Sequence, residues 1–256
     1  MTIADIGYGK QFEGWYDRIF QDDAATRAAV EGLAGFHPDP AAGTLEFGVG
    51  TGRIALPLSR RVGPITGVDS SQEMLAALEK KAAEKRAGDG DVAAELGDIR
   101  TYRDGRTYGL VYCVCSTLAL LLDPEGQGQA IARAAEHLAP GGRLVVETHN
   151  RPGIVAQHEG LTRTTLFVPY PEPNTGIQMH ATLLMENQIW HVSTVWFEAD
   201  GTHRIGTETV RLLTPDEVDG YARDAGLVPE GRYSDWQGTD YVPAAGLFIT
   251  SYTKPA

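Results

Sequence analysis

The sequence predicts an α/β protein built on a mainly parallel sheet, with a block of antiparallel strands set into it. Three observations carry that prediction. From Thr44 to Asn150 short apolar, β-branched runs alternate with helical patterns, as they do when a crossover helix follows each strand. Between about 151 and 213 the alternation stops and strand-like runs follow one another directly. At 48–52 three glycines occupy alternate positions where the first strand gives way to a helix.

The elements follow in order. The opening MTIADIGYGKQFEG has no basic n-region and no apolar h-region, so no signal peptide is expected. Phe12, Trp15, Tyr16, Ile19 and Phe20 then recur at helical spacing and predict one amphipathic helix ahead of the first strand. The strands of the alternating region are expected at 44–47, 65–68, 92–96, 110–114 and 143–148, each apolar enough to be buried on both faces. Ser70 with Glu73 forms a capping box, ahead of a stripe of Met74, Leu75, Leu78 and Ala82 that Gly88 ends. Asp123-Pro124 starts a second helix, with Ile131, Ala134 and Leu138 inward, stopped by Pro140-Gly141-Gly142. Thr214-Pro215-Asp216-Glu217 starts a third, which Gly226 ends. In the non-alternating region LTRTTLFV, IQMHATLLM, QIWHVSTVWF and THRIGTETVRLL read as antiparallel strands, with hairpin turns at Glu186-Asn187 and Asp200-Gly201. Trp190, Val192, Thr194 and Trp196 share one face of the third of these. Strands near 228–233 and 247–252 return to the main sheet. This divides the chain into a helical lid (1–40), a core (41–150), an antiparallel insertion (151–213) and a C-terminal part of the core sheet (214–256).

Composition narrows the function. The 256 residues carry 22 Lys plus Arg against 34 Asp plus Glu, a net charge of −12, which argues against nucleic acid as the partner. The longest apolar stretch, Leu118 to Leu122, is too short to span a bilayer, so no membrane partner is expected. Two cysteines two positions apart cannot build a disulfide framework, which points to the cytoplasm. Cys113 and Cys115 are expected on one face of a strand as inert packing. His180, His191 and His203 have no ligand-like spacing, so no metal is expected. Gly is the unusual count, at 30 residues.

The glycines of Leu45-Glu46-Phe47-Gly48-Val49-Gly50-Thr51-Gly52-Arg53 let the chain turn sharply and let a ligand approach the backbone. A dinucleotide site asks for G-x-G-x-x-G, whose third glycine would fall at 53, where this chain has Arg53. The spacing present is G-x-G-x-G preceded by Glu46. A carboxylate there repels a pyrophosphate and suits a ligand bearing an ammonium and a sulfonium, so the loop favours a cationic, amino-acid-like cofactor over NAD. The next strand ends at Asp69, whose carboxylate can accept hydrogen bonds from both hydroxyls of a ribose. The third leads to Gly97-Asp98-Ile99, a further strand-end carboxylate placed for an adenine amino group. The alternatives are surface carboxylates for Glu46 and Asp69, a turn cap for Asp98, and a core residue for Met74.

With LEFGVGTGR, TGVDSS followed by Met74, ELGDIR and HLAPGGRLVVE in this order, the chain resembles the class I S-adenosylmethionine-dependent methyltransferases over roughly residues 10–256. Within them it is similar to the small-molecule, natural-product type related to antibiotic-sugar N,N-dimethyltransferases, through Tyr16-Asp17 in the first helix and the insertion after the fifth strand. The resemblance implies a doubly wound, Rossmann-like sheet of seven strands in the order 3-2-1-4-5-7-6, with the last strand antiparallel, and S-adenosyl-L-methionine as cofactor. It further implies Gly48, Gly50 and Gly52 against the methionine portion, Glu46 near its ammonium, and Asp69 on the ribose. Met74 or Ser70 would flank the adenine, Asp98 would meet its amino group, and Ile99 would pack on the ring. Cys115, Ser116 and Thr117 would line the channel past the sulfonium. In the sugar N,N-dimethyltransferases a His follows the strand-four loop; the matching stretch here, Ser116 to Leu122, has none, which leaves an apolar wall and favours a mainly apolar acceptor.

The expected reaction is methyl transfer to nitrogen or oxygen of a small metabolite by direct displacement. His149, directly after the fifth strand, is the candidate general base, with a positioning role as the alternative. Tyr16 is the candidate contact to cofactor or substrate, with packing on Trp15 as the alternative. Trp236 is either a pocket wall or a core or interface aromatic. The competing functions are a methyltransferase of the same fold acting on RNA or protein, and a catalytically silent S-adenosylmethionine-binding protein. Trp190 and Trp196 offer a surface for a homodimer, with packing onto the parent domain as the alternative.

Overall fold

The computed structural model describes residues 7–84 and 91–256. The start of the chain and Gly88, expected to end a helix, lie outside these residues. Two short helices, α1 (Tyr8–Phe12) and α2 (Tyr16–Ile19), and a longer α3 (Ala24–Phe36) precede the sheet. Then come β1 (Thr44–Phe47), α4 (Ala55–Val62), β2 (Ile65–Asp69), α5 (Gln72–Ala83), β3 (Val92–Leu96), β4 (Tyr108–Cys113), α6 (Pro124–His137) and β5 (Leu138–His149). After α7 (Arg151–Gln157) the chain forms β6 (Arg163–Pro169), β7 (Gly176–Leu184), β8 (Ile189–Phe197) and β9 (His203–Arg211). It closes with α8 (Pro215–Asp224), β10 (Val228–Tyr233) and β11 (Leu247–Thr253).

The main sheet has seven strands in the order β10-β11-β5-β4-β1-β2-β3. In strand count from the other edge this is the expected 3-2-1-4-5-7-6, and β11 runs antiparallel to both β5 and β10. Two hydrophobic clusters cover its faces: Leu45, Val111 and Val146 point to one side, Leu110, Tyr112 and Val145 to the other. This is the period-2 alternation of strands buried on both faces. Strand β3 departs from that expectation, because it is the sheet edge; Leu96 is exposed. The insertion forms its own four-stranded antiparallel sheet, β6-β7-β8-β9, with the expected hairpins; Gly201 takes φ +86° and Gln188 φ +59° in the two turns.

Several local expectations are corrected. The first helix is split into α1 and α2, because Gly14 adopts φ +76°, which ends one turn before the next begins. The cap of α5 is Ser71, not Ser70: Asp69 Oδ1 accepts the Ser71 N–H at 2.9 Å, prolonging the turn by one residue, and Ser71 Oγ accepts the Met74 N–H. Glu73 then sits one position too early for a capping box. Helix α6 ends at His137, and Pro140-Gly141-Gly142 lies within β5 rather than stopping the helix. Helices α3 and α7 were not expected from periodicity. Cys113 and Cys115 do not share a face, because Cys115 and Ser116 leave the strand with φ +55° and +59°; Cys113 is buried and Cys115 exposed. The face bearing Trp190 and Trp196 is turned inward. Trp196 packs with Phe12, Trp15 and Met74, and Trp190 donates to His158 Nε2 at 3.0 Å, so these rings serve packing within the chain. The Thr214–Glu217 capping box is present, and Gly226 (φ +78°) ends α8. No helix among the described residues is long and apolar enough to cross a membrane.

The end of β5 is pinned from behind. Fully buried Asn150 donates from Nδ2 to the carbonyls of Pro243 and Ala245 at 2.9 and 2.8 Å. Gly153 of α7 packs so closely there that a Cβ would stand 1.8 Å from the Ala245 carbonyl oxygen. Gly153→Ala must therefore displace backbone, and is expected to cost about 1–3 kcal/mol and to lower Tm by roughly 5 °C. A melting curve matching wild type would show that this packing is slack.

Candidate active site

The carboxyl ends of the main strands, the lid α1–α2 and the inner face of the insertion sheet enclose one cavity of about 950 Å³. Such a crevice at strand ends is where open α/β sheets bind ligands. All the expected site residues reach its lining except Gly52. At Gly52 a Cβ would press on Leu78 and Leu56 at about 3 Å, so its role is close packing behind the loop.

The loop after β1 is set by two backbone bonds. The N–H groups of Gly48 and Val49 both donate to the Val68 carbonyl, at 2.8 and 3.0 Å. Gly48 has φ +78°, and a Cβ there would collide with Thr117 at 2.3 Å, so only glycine fits. The Gly50 N–H then meets Asp69 Oδ2 at 2.8 Å. Asp69 is thereby oriented across the cavity by two backbone donors, Gly50 and Ser71, and a carboxylate has capacity for further donors.

Glu46 is the buried acid of the site. Only 2% exposed, it accepts from Tyr112 Oη at 2.7 Å, and burial pushes its carboxyl up to about 8 against the help of that bond and of Arg53. Glu147, at the end of β5, is likewise raised by burial and accepts from Trp236 Nε1 at 2.6 Å. Trp236 thus braces a cavity residue from behind: it packs on Gly32 and lies outside the cavity lining. Asp98 behaves differently. It grips Arg100 through both oxygens and accepts the Arg100 N–H, which holds its carboxyl below the usual range. The turn cap is therefore present, and Asp98 lines the cavity beside Ile99 while making it.

Arg53, which breaks the dinucleotide motif, also sends its side chain into the cavity. It donates to Thr26 Oγ1 and Cys115 Sγ, both at 2.8 Å, and stays charged. Its buried Nε has no hydrogen-bond partner among the described residues. Tyr16 lies beside it, and burial raises the Tyr16 hydroxyl well above its ordinary range, so it stays protonated. His149 lies at the rim of β5 against Trp190, with ring centroids 5.0 Å apart; burial pushes its imidazole down to about 4, so the ring is neutral at pH 7. Its backbone N–H donates to Ser116 Oγ, which helps keep Cys115 and Ser116 in their left-handed turn.

Periodicity gave no sign of how the lid is tied. Asp17 accepts from Thr51 Oγ1 at 2.7 Å and from Lys81 Nζ at 2.9 Å. Arg18 forms a two-pronged pair with Glu198 of the insertion at 2.6 and 2.7 Å, and Gln11 Oε1 accepts the Thr207 N–H. The Tyr16-Asp17 pair was legible, but the partners of Asp17 lie far along the chain.

The donor set fits an S-adenosylmethionine-like ligand: a buried acid for an ammonium, an unpartnered guanidinium N–H for a carboxylate, and an oriented acid for a diol. Comparison with known proteins agrees. Residues 44–142 match a family described as a methyltransferase domain. A dTDP-3-amino-3,4,6-trideoxy-alpha-D-glucopyranose N,N-dimethyltransferase of Streptomyces venezuelae is 31% identical over 145 residues, 57% of this chain and 58% of its own length. A related dideoxy-sugar N,N-dimethyltransferase of Streptomyces fradiae is 28% identical over 55% of this chain and 54% of its own, so the chain spans little more than half of these curated relatives. Among solved structures, the CcbJ methyltransferase from Streptomyces caelestis matches with a TM-score of 0.88 and 28% identity, over 99% of this chain and 100% of that one.

The Glu46 carboxyl sets a pH dependence of stability. Its ordinary value is 4.5 and its folded value about 8, so between these the folded state keeps a proton that the unfolded state releases. Stability therefore falls as pH rises from about 4.5 to about 8, and no further. Glu46→Gln removes that slope; above pH 8 its Tm should exceed that of wild type by about 5 °C or more, with no gain near pH 4.5. Equal melting temperatures at both ends would contradict the buried proton. From loop, strand ends and cavity to overall architecture, the chain shares the fold of the CcbJ methyltransferase, and its residues 44–142 are similar to a methyltransferase domain.

Proposed function

We propose that the protein transfers the methyl group of S-adenosyl-L-methionine to a nitrogen or oxygen atom of a small acceptor. The observation that carries this reading is the joining of Glu46, Asp69 and the Gly48–Gly50 loop in one cavity that has room beyond them for a second molecule. Glu46 would face the cofactor ammonium and ionise as it does so; Arg53 would meet the carboxylate through its free Nε. Asp69 would hold the ribose. Ser70, Met74 and Ile99 would enclose the adenine, with Asp98 at its amino group, and Cys115 and Ser116 would flank the path to the sulfonium. Similarity to a dTDP-amino-sugar N,N-dimethyltransferase supports a natural-product setting, and two free cysteines suit the cytoplasm.

When bound, the sulfonium offers an electrophilic methyl carbon whose displacement needs no acid. What remains for the protein is alignment, worth several kcal/mol when the reacting atoms are held in line, and exclusion of water by the tied lid. The neutral imidazole of His149 can accept a proton from an incoming nucleophile. The protonated Tyr16 hydroxyl, beside Arg53, can position the carboxylate end of the cofactor or the acceptor.

Calorimetry should detect S-adenosylhomocysteine binding, and Asp69→Ala should weaken it by about 1–3 kcal/mol through loss of charge-assisted bonds. No binding by wild type at millimolar ligand would refute the cofactor assignment. Transfer of tritiated methyl into the small-molecule fraction of a cell extract, followed by mass spectrometry, tests the acceptor class; label confined to RNA or protein would favour the macromolecular alternative. Unchanged turnover of His149→Ala would remove that residue from any base role.

A further inference from the structure

The roof of the cavity carries one carboxylate that the proposed cofactor contacts leave unused. Pairing register fixes which residues of the insertion sheet share its inner face: Ala181 lies opposite Val192, Val192 opposite Glu208, and Trp190 opposite Val210. Above the cavity that face presents Ile177, Met179, Trp190, Thr194 and Val210, with Glu208 among them. Its same-face neighbour Gly206 lies under the rings of Phe12 and Trp15. Glu208 makes no side-chain hydrogen bond or ion pair with any described residue. Tyr8 of the lid is the titratable group whose ionisation its charge opposes. Burial alone pushes the Glu208 carboxyl up to about 7.

A lone carboxylate in an apolar wall is costly unless a cation meets it. Glu46, Asp69 and Asp98 already lie on the strand-end side, where the cofactor is proposed to sit, whereas Glu208 comes from the insertion. The cation it meets is then on the acceptor. We propose that Glu208 anchors the acceptor of this site, pairing with the ammonium of a basic amine and taking up its proton. This rests on the methyl-transfer reading and narrows its acceptor to an amine. One N–H proton of the ammonium passes to the Glu208 carboxylate, and the nitrogen lone pair so freed forms the bond to the methyl carbon. The carbon–sulfur bond breaks with its electron pair kept by sulfur, leaving the neutral thioether S-adenosylhomocysteine. The product is an N-methylammonium that carries the positive charge formerly on the sulfonium. An alcohol acceptor brings no charge to the carboxylate.

The test uses the full chain saturated with S-adenosylhomocysteine and titrated calorimetrically with N-methylbenzylamine, N-methylphenethylamine and N-methylcyclohexylamine, each beside its methyl ether isostere. The amines should bind and the ethers should not. Glu208→Gln should raise the amine Kd on the order of thirtyfold or more, with S-adenosylhomocysteine affinity unchanged, which also reports that the variant is folded. Glu208→Asp should keep the preference for amine over ether. Wild type binding none of the amines, or binding the ethers as tightly, overturns the proposal; so does unaltered amine affinity in Glu208→Gln, or a parallel loss of S-adenosylhomocysteine affinity. Failure of wild type to bind S-adenosylhomocysteine is a different result and defeats the methyl-transfer reading itself.

Discussion

One carbonyl organises this molecule. The Val68 oxygen, at the end of β2, receives the N–H groups of both Gly48 and Val49 and so fixes where the chain turns after β1. Everything at the cavity floor follows from that turn. It brings the Gly50 N–H to Asp69, Thr51 to Asp17 of the lid, and Arg53 to Thr26 and Cys115. Three glycines serve it for different reasons: Gly48 because Thr117 occupies the space of a side chain, Gly50 because it takes φ +53° as its N–H meets Asp69, and Gly52 because Leu78 packs behind it. A single turn thus links the sheet, the lid and the strand-four tip.

The second organising fact is electrostatic. Glu46, Glu147 and Glu208 are buried acids whose carboxyls burial raises, and Arg53 is the charged counterpart that enters the same space. Carboxyls raised by burial favour any ligand that brings positive charge. The acidic balance of the chain is therefore more than a solvated surface; part of it is stored inside.

Much of this was legible before any coordinates. Alternation from Thr44 to Asn150 marks the parallel core because strands buried on both faces leave continuous apolar runs, and period two in 188–197 marks the face that carries Trp190 and Trp196. The spacing of Glu46, Gly48, Gly50 and Asp69 marks the site because neighbouring strand ends bring those residues together. What was not legible depends on contacts distant in sequence or on single dihedral angles. Gly14 divides a pattern that is helical by periodicity alone, and Asp69 moves the cap of α5 to Ser71 by accepting its N–H. Whether the tryptophan face pointed in or out could not be read from one strand, since alternation has no sign. Glu208 is hidden for the same reason: its place beside that face appears only when β9 is paired with β8.

The lid ties have a consequence for how the cavity opens. Beneath them lies the aromatic packing of Phe12 and Trp15, but the fasteners at the outer edge are ion pairs, Asp17 with Lys81 and Arg18 with Glu198, in which Asp17 and Arg18 are well exposed. Exposed pairs contribute about 0–1 kcal/mol each and are screened over about 8 Å at physiological ionic strength. Added electrolyte therefore loosens the rim of the lid while leaving its apolar seat in place, so the passage of molecules in and out responds to the ionic medium through contacts that take no part in the chemistry.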